Sequence, residues 1–271
     1  MYHDAHAHLG WTMLTFLRRL LDRFRVAPQS GPRVTGLPAS SNGASSFHVN
    51  WDMPPDRSIV AVEATLEILV PPVVDRLHFW ALQASFVGPE GRLGGAHLGL
   101  QWHPSHPGHT AVNWGGYDRN GLILDGTSSD LPSARGNANT RDYAWAPATP
   151  YRLRISPGSN DGWWLGEVTN LVSGETTKVR ELHPGGERLI SPVVWSEVFA
   201  RCDDPGVTVR WSDLTAIDDQ GGHIQPAAVR ANYQSHESGG CANTSTTTDG
   251  IGVLQETSTM RATPQGGRLT L

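Results

Sequence analysis

Three successive strand patterns between Tyr151 and Val179 constrain the fold more than any other stretch of the chain. From Tyr151 to Ile155, apolar residues alternate with arginines, which is the period of a strand with one buried face. A turn rich in Ser, Gly and Asn follows, and the chain returns through Trp163–Leu171. A Ser-Gly turn then leads into Thr176–Val179. This order predicts an antiparallel meander, which is a typical fragment of a β-sandwich.

Other stretches carry the same period of two. Ser58–Val70 alternates cleanly, and Leu77–Val87 is apolar on both sides, as a central strand covered on both faces would be. Val194–Arg201 and Val207–Ile217 supply further strands, and simple alternation places Glu197 on the side opposite Val194. We therefore predict an all-β, antiparallel β-sandwich of the jelly-roll or concanavalin-like kind.

The first part of the chain differs from the rest. Trp11–Val26 has apolar residues spaced by three and four, which predicts a helix outside the sandwich. Charged residues, among them Arg18, Arg19, Asp22 and Arg23, interrupt this apolar run, so it is neither a signal peptide nor a membrane span. The Ser-, Gly- and Pro-rich stretch after it predicts a flexible linker. The predicted division is residues 1–46 for the helix and linker, and residues 47–271 for a single β-sandwich domain.

Charge and composition exclude one class of partner. The 271 residues carry a formal charge of −5 without a block of basic residues, so the footprint of a nucleic-acid-binding protein is missing. Ten tryptophans are many for a chain with 38% hydrophobic residues. Surplus indole rings serve either a large core, which is the commoner case, or surfaces that stack on sugars.

Two cysteines, Cys202 and Cys241, lack the spacing of a zinc site. We predict that they form a disulfide, which requires an oxidising compartment. The expected location is therefore extracellular or in the cell envelope, although the given N-terminus shows no signal peptide.

Two histidine patterns invite a metal interpretation. The opening His6-x-His8 is similar to the first strand of metal-dependent amidohydrolases, but their barrel needs alternating strands and helices that this chain lacks. The second pattern, His103, His106 and His109, contains prolines that prevent a helix from aligning the rings. We predict no metal site and no cofactor, and leave a structural Ca²⁺ ion open.

Several of these segments together resemble a known family. They are HLGLQWH from His97, YAWAPATPYRLRI from Tyr143, WWLGEVTNLVSGETTKVREL from Trp163 and VWSEVFARCDDPGVTVRWSDL from Val194. Their succession is similar to an uncharacterised bacterial family catalogued as domain of unknown function 3472. The resemblance covers roughly residues 45 to 260 and implies a secreted β-sandwich protein. It implies no catalytic residues.

The predicted function is that of an extracellular, lectin-like protein that binds a carbohydrate. Exposed rings would stack on sugar faces, and polar side chains would bind the hydroxyls. The candidates come from the polar stripe after His97, the strand that follows it, the loop beyond that strand, and the tryptophans beside the meander. They are Gln101, His103, Asn113, Trp114, Asp118, Arg119, Trp145 and Trp163.

Two alternatives stay open. A glycoside hydrolase on the same fold would need two carboxyl groups across a groove, for which we name Glu167 and Glu197, each in a strand among aromatic residues. A non-catalytic surface or adhesion protein would need neither. Other enzyme classes lack support, because the sequence shows no phosphate loop, dinucleotide fingerprint or Gly-x-Ser-x-Gly elbow.

Overall fold

The computed structural model describes residues 32–133 and 137–271. Residues Arg33–Leu271 form one compact unit. The predicted helix Trp11–Val26 and the His6-x-His8 motif lie outside the described residues. In the part of the chain that is described, no helix has the length and apolar character needed to span a membrane.

The described residues form strands joined by turns, with one short 3-10 turn at Pro107–His109. The strands are β1 (Ser45–Trp51), β2 (Ile59–Val70), β3 (His78–Gly88), β4 (Gly91–Trp102), β5 (Thr110–Asp118), β6 (Thr140–Asp142), β7 (Pro150–Pro157), β8 (Trp164–Asn170), β9 (Thr176–Leu182), β10 (Arg188–Val198), β11 (Thr208–Asp218), β12 (His223–Ile224), β13 (Val229–Tyr233), β14 (Thr244–Thr248), β15 (Val253–Thr257) and β16 (Arg268–Leu269). Every pairing between them is antiparallel, so the all-β antiparallel prediction is confirmed.

The pairing divides these strands into two layers. The front sheet has the order β16-β13-β1-β10-β3-β4-β5-β6, and the back sheet has the order β14-β15-β11-β2-β7-β8-β9, with β12 beside β11. A single residue pair, Leu189 with Ile59, joins the two sheets through β10 and β2.

The main hydrophobic cluster contains buried residues from both sheets. The rings of Phe86 in the front sheet and Trp164 in the back sheet have centroids 5.3 Å apart. Trp114 lies so close to Gly166 that a Cβ there would come within 2.7 Å of the indole ring. A glycine in β8 therefore makes room for the largest side chain of β5.

The predicted meander is confirmed, because β7, β8 and β9 pair in sequence with β2 beside them. In β2, the predicted inward face is buried in the core, while Glu63 and Glu67 form ion pairs with Arg154 and Arg210. β3 lies in the interior of the front sheet between β10 and β4, but Phe79 and Gln83 on its outer face line a groove, so no second layer of the described strands covers that face there. The finer assignment to a jelly-roll or concanavalin-like type stays a prediction.

The predicted disulfide between Cys202 and Cys241 is formed. Residues before β1 hydrogen-bond around it, since the Cys202 amide donates to the carbonyl of Gly36 at 2.8 Å. The Asn243 side chain donates to the carbonyls of both Val34 and Cys202. The disulfide therefore secures the segment ahead of the front sheet as well as the two loops that it joins.

Removing the disulfide by the double substitution Cys202→Ser and Cys241→Ser should lower the free energy of unfolding by about 4 kcal/mol. The reason is that the cysteines are 39 residues apart, and an open loop of that length gains chain entropy in the unfolded state. Denaturant unfolding measures the loss. A reducing agent should destabilise the wild type and leave the double variant unchanged, and equal stability of the two proteins would contradict the prediction.

Candidate functional site

A groove with a volume of about 730 Å³ crosses the outer face of the front sheet. Its walls come from alternate residues of β1, β3, β4 and β10, from the end of β5, and from the segment before β1. The residues that line it are Asn42, Ser46, His48, Phe79, Gln83, Arg92, Gly94, Gly95, His97, Tyr117, Asp118, Arg119, Gly121, Trp195 and Glu197.

Three packed rings form the floor of the groove. Phe79, His97 and Trp195 meet edge to face, with centroid distances of 4.9 to 5.6 Å. Ala81 and Gly99 form the neighbouring residue pair in the sheet. Because their side chains are small, the three rings have room to pack above them. The floor is therefore a fixed aromatic surface that shows mainly ring edges, because Phe79 and Trp195 are only 4% and 5% exposed.

Glu197 forms part of the wall beside this floor. Its Oε1 accepts hydrogen bonds from the Asn42 amide at 2.9 Å and the Ser46 hydroxyl at 3.4 Å. Within the described residues it has no cationic partner. Burial raises the pKa of Glu197, and the two hydrogen bonds only partly offset that effect. Both bonds reach the same oxygen, so Oε2 keeps its capacity for a ligand.

Neutral polar groups line the same groove as Glu197. The Trp195 indole N–H donates to Gln83 Oε1 at 3.0 Å, which fixes the amide and leaves its nitrogen as a donor. Burial lowers the pKa of His97 to about 4 and also lowers that of His48. Both imidazoles are therefore neutral at pH 7, and the described residues that line the groove around Glu197 supply no positive charge.

The far end of the groove is charged. Arg92 and Arg119 lie there, and Arg119 makes a long ion pair with Glu90 at 3.8 Å. The Asp118 carboxylate accepts the backbone amides of Asn120 and Leu122 at 2.8 Å, and the latter bond is the main cause of its lowered pKa. Asp118 is therefore an ionised turn residue at the rim.

A second recess of about 530 Å³ adjoins the groove and shares Asn42, Ser46 and His48 with it. Its remaining lining consists of uncharged groups, mostly hydroxyls and amides. These residues are Ser40, Ser41, Asn232, Tyr233, Gln234 and Ser238. We call it the polar recess. Because Ser46 also bonds Glu197, the carboxyl group lies where the two concavities meet.

Of the predicted site residues, the structure brings Asp118, Arg119 and Glu197 to the groove. The prediction of exposed tryptophans is wrong for Trp114 and Trp145, which are 0% and 6% exposed and belong to the core. Trp114 fills the space above Gly166, and the Trp145 indole donates to a backbone carbonyl of β4. Seven of the nine tryptophans in the described residues are buried: Trp51, Trp80, Trp114, Trp145, Trp164, Trp195 and Trp211.

Trp163 is half-exposed and stacks on His183 with centroids 4.7 Å apart. Neither ring lines the groove or the polar recess. Trp163 is therefore a separate aromatic surface in the turn before β8.

The predicted carboxyl pair Glu167 and Glu197 is not formed. Glu167 lies in β8 between Arg154 and Lys178, on the outer side of the back sheet. Its neighbour Gly166 faces the core, so alternation turns Glu167 away from it. Glu197 lies on the outer side of the front sheet, and the whole core separates the two carboxyl groups.

Gln101, Asn113 and His103 lie at the opposite end of the front sheet from the charged rim. Gln101 and Asn113 are 4% and 3% exposed, and Asn113 donates to the Thr140 hydroxyl at 2.8 Å. The His103 ring contacts His106, whose Nδ1 lies 2.5 Å from the Asp142 carboxylate. In residues 32–133 and 137–271, no group of three or more His, Cys, Asp or Glu side chains is placed to hold a metal ion.

Sequence reasoning missed most of the groove. Gln83 and Trp195 read as parts of apolar strands, and His48 stood in a short alternating stretch. The sequence contains a signal for two groove residues. Alternation puts Trp195 on the same side as Glu197, and His97 is the first residue of the polar stripe in β4. Strand order decides which outward-facing residues of different strands become neighbours, and a local sequence pattern carries no information about strand order.

No family model and no curated protein matches this chain. Among solved structures, it is similar to scytalido-glutamic peptidase bound to a peptide-based transition state analog, with 8% identity, a TM-score of 0.43, and coverage of 78% of this chain and 97% of that one. It is also similar to SCP-B, a member of the eqolisin family of peptidases, in a complex with a tripeptide, with 8% identity, a TM-score of 0.43, and coverage of 79% and 98%. The third is the enzymatically active domain of tailspike protein 2 of bacteriophage CBA120, with 15% identity and a TM-score of 0.27, where 68% of this chain matches 24% of that one.

Glu197→Gln should raise the melting temperature at pH 7 to 8 and leave it nearly unchanged near pH 4. Because the folded-state pKa of Glu197 lies above the ordinary 4.5, the folded protein binds this proton more tightly than the unfolded chain does. The wild type therefore loses stability as pH rises from about 4.5 through the raised value, and glutamine has no proton to lose. Thermal melts across this range measure the difference.

The matched control is Glu167→Gln, which makes the same change beside Arg154 and Lys178 on the other sheet. It should not stabilise the protein at neutral pH. A Glu197→Gln variant that melts below the wild type at pH 8 would show that the carboxylate is favourably held.

Proposed function

We propose that this protein is a hydrolase in which Glu197 is the single general acid and base, acting on an acyl bond of an extended substrate. The observation that carries the proposal is a carboxyl group with a raised pKa and no cationic partner among the described residues, in the wall of a groove. Perturbed carboxyl groups of this kind are typical of catalytic sites.

Glycoside hydrolysis is less well supported, because it needs a second carboxyl group about 5 to 9.5 Å away. The other carboxylate that lines the groove is Asp118. Asp118 lies in β5, three strands away from β10, which carries Glu197. Through the strand pairing, Glu197 is level with Phe79 of β3 and Asp118 is level with Phe86, seven residues further along that strand. With 4.8 Å between strands and 3.3 Å per residue, the two lie roughly 27 Å apart along the sheet.

Acyl hydrolysis needs only one carboxyl group. In its ionised form, Glu197 takes a proton from a water molecule, whose oxygen attacks the carbonyl carbon of the substrate. The carbonyl oxygen then carries the negative charge. When the tetrahedral intermediate collapses, Glu197 returns the proton to the leaving nitrogen or oxygen, and the acyl bond breaks. No covalent enzyme intermediate is required.

The amide of Gln83 is the proposed donor to the charged oxygen. Glu197 pairs with Phe79, and Gln83 lies four residues further along β3. The Cα atoms of Gln83 and Glu197 are therefore roughly 14 Å apart. The indole of Trp195, which is two residues before Glu197 in β10, holds the Gln83 amide by a hydrogen bond. A substrate carbonyl between the two side chains would meet the amide on one side and the carboxyl group on the other.

Glu197→Gln should abolish hydrolysis of peptide and ester substrates in a fluorogenic library, with a loss of kcat of at least 100-fold. The wild-type kcat/KM should rise with pH through an apparent pKa above 4.5, since the reacting form is the carboxylate. Gln83→Ala should lower kcat more than it raises KM, since its amide acts on the transition state.

Glu167→Gln is again the control and should keep full activity. A polysaccharide panel assayed in parallel separates the two bond types. Glu197-dependent release of sugars without peptide or ester cleavage would overturn the acyl assignment, and equal activity of Glu197→Gln and the wild type would remove the catalytic role altogether.

A carbohydrate-binding function is the second candidate, and the polar recess favours it. Its hydroxyl and amide lining suits sugar hydroxyls, and the half-exposed Tyr117 at the groove rim offers a ring for stacking. The buried tryptophans no longer support it. Ser41→Phe, which fills the exposed edge of the recess, should abolish binding to a glycan array while Glu197→Gln retains it.

We also propose an extracellular or cell-envelope location. The disulfide supports an oxidising compartment, and the resemblance to domain of unknown function 3472 implies secretion.

A further inference from the structure

Two buried arginines face each other across one edge of the sheet pair. Arg141 belongs to β6, the edge strand of the front sheet, and Arg180 belongs to β9, the edge strand of the back sheet. Each is only 8% exposed. Arg141 pairs with Val112 and Arg180 with Gly166, and both of these neighbours face the core.

The hydrogen bonds of the two guanidinium groups go to backbone carbonyls. Both donate to the carbonyl of Ala138, Arg180 at 3.3 Å, and Arg141 also donates to the carbonyl of Thr140 at 3.1 Å. Within residues 32–133 and 137–271, neither forms an ion pair with a carboxylate. Two like charges therefore share one carbonyl oxygen.

Two N–H donors in this region are unused. Arg180 Nε and the Trp114 indole N–H are buried and have no hydrogen-bond partner among the described residues. The Trp114 ring lies against Gly166, the strand neighbour of Arg180. The two orphaned donors belong to different sheets, and Asn139 Oδ1, in the loop before β6, is a buried neutral acceptor without a partner among the described residues.

A buried charge without a partner is costly, and replacing it by an apolar residue is usually favourable. Burial lowers the pKa of Arg141 and Arg180, and the charge of Arg141 lowers that of Arg180 further. The nearby Asp125 offsets this only in part, and it is not within ion-pair distance. In the part of the chain that the structure describes, neither guanidinium therefore has a carboxylate in direct contact.

We propose that Arg141, Arg180 and the Trp114 indole bind an oxyanion at this edge of the fold. The planar forks of the guanidinium groups match the oxygens of a phosphate, sulfate or carboxylate group, each oxygen of which accepts several N–H bonds. The site lies between the sheets and not on the outer face that carries Glu197, so it does not depend on the proposed hydrolase.

The test measures the melting temperature of the full chain in sodium phosphate, sulfate or acetate, with sodium chloride at matched ionic strength as the reference. An oxyanion that binds only the folded state should raise the melting temperature in a saturable way, by several degrees at millimolar concentration. A larger effect of phosphate and sulfate than of acetate assigns a tetrahedral ligand, and the reverse assigns a carboxylate.

Arg180→Gln and Arg141→Gln should each reduce this shift to the value seen in chloride. Arg152→Gln is the control, because Arg152 is an exposed strand arginine on the outer side of the back sheet, and it should keep the wild-type shift. If the two variants fail to fold, a saturable change in wild-type tryptophan fluorescence that is absent in Trp114→Phe replaces them. Equal melting temperatures of the wild type in oxyanion and in chloride, or a shift that survives in Arg180→Gln, would overturn the proposal.

Discussion

The alternation of each front-sheet strand between an inner and an outer side is the constraint on which the rest depends. In β10, the inner residues belong to the core, while Trp195 and Glu197 point outward. Burying the inner side fixes strand register, since a slip of one residue would exchange the two sides. The same packing that excludes water from the core therefore holds the groove residues in one array.

Keeping Glu197 ionised in its buried surroundings lowers the stability of the folded protein. Asn42 and Ser46 supply neutral donors to one carboxyl oxygen, and the neighbouring imidazole of His48 is uncharged because of its own burial. The charges of Arg92 and Arg119 lie at the far rim. A proton on Glu197 is consequently more stable than in water, which prepares the group to act as both acid and base.

The tryptophans show what composition alone could not decide. Ten indole rings fitted either a core or a sugar-binding surface, and the sheets bury most of the described ones. Gly166 beneath Trp114 marks this outcome, since a small residue in one sheet admits the ring from the other. Neither residue is near the other in sequence, so only packing could decide between the two interpretations.

The sequence by itself determined the strand patterns of β2, β3, β10 and β11, the meander from Tyr151 onward and the outward direction of Glu197, because a period of two is a local property of the backbone. Only the tertiary structure decided that Glu167 lies on the other side of the core, that Gln83 lines the same groove as Glu197, and that Arg141 and Arg180 bond one carbonyl. These relations follow from strand order and from the stacking of two sheets, which join residues far apart in the chain through long-range burial of apolar surface.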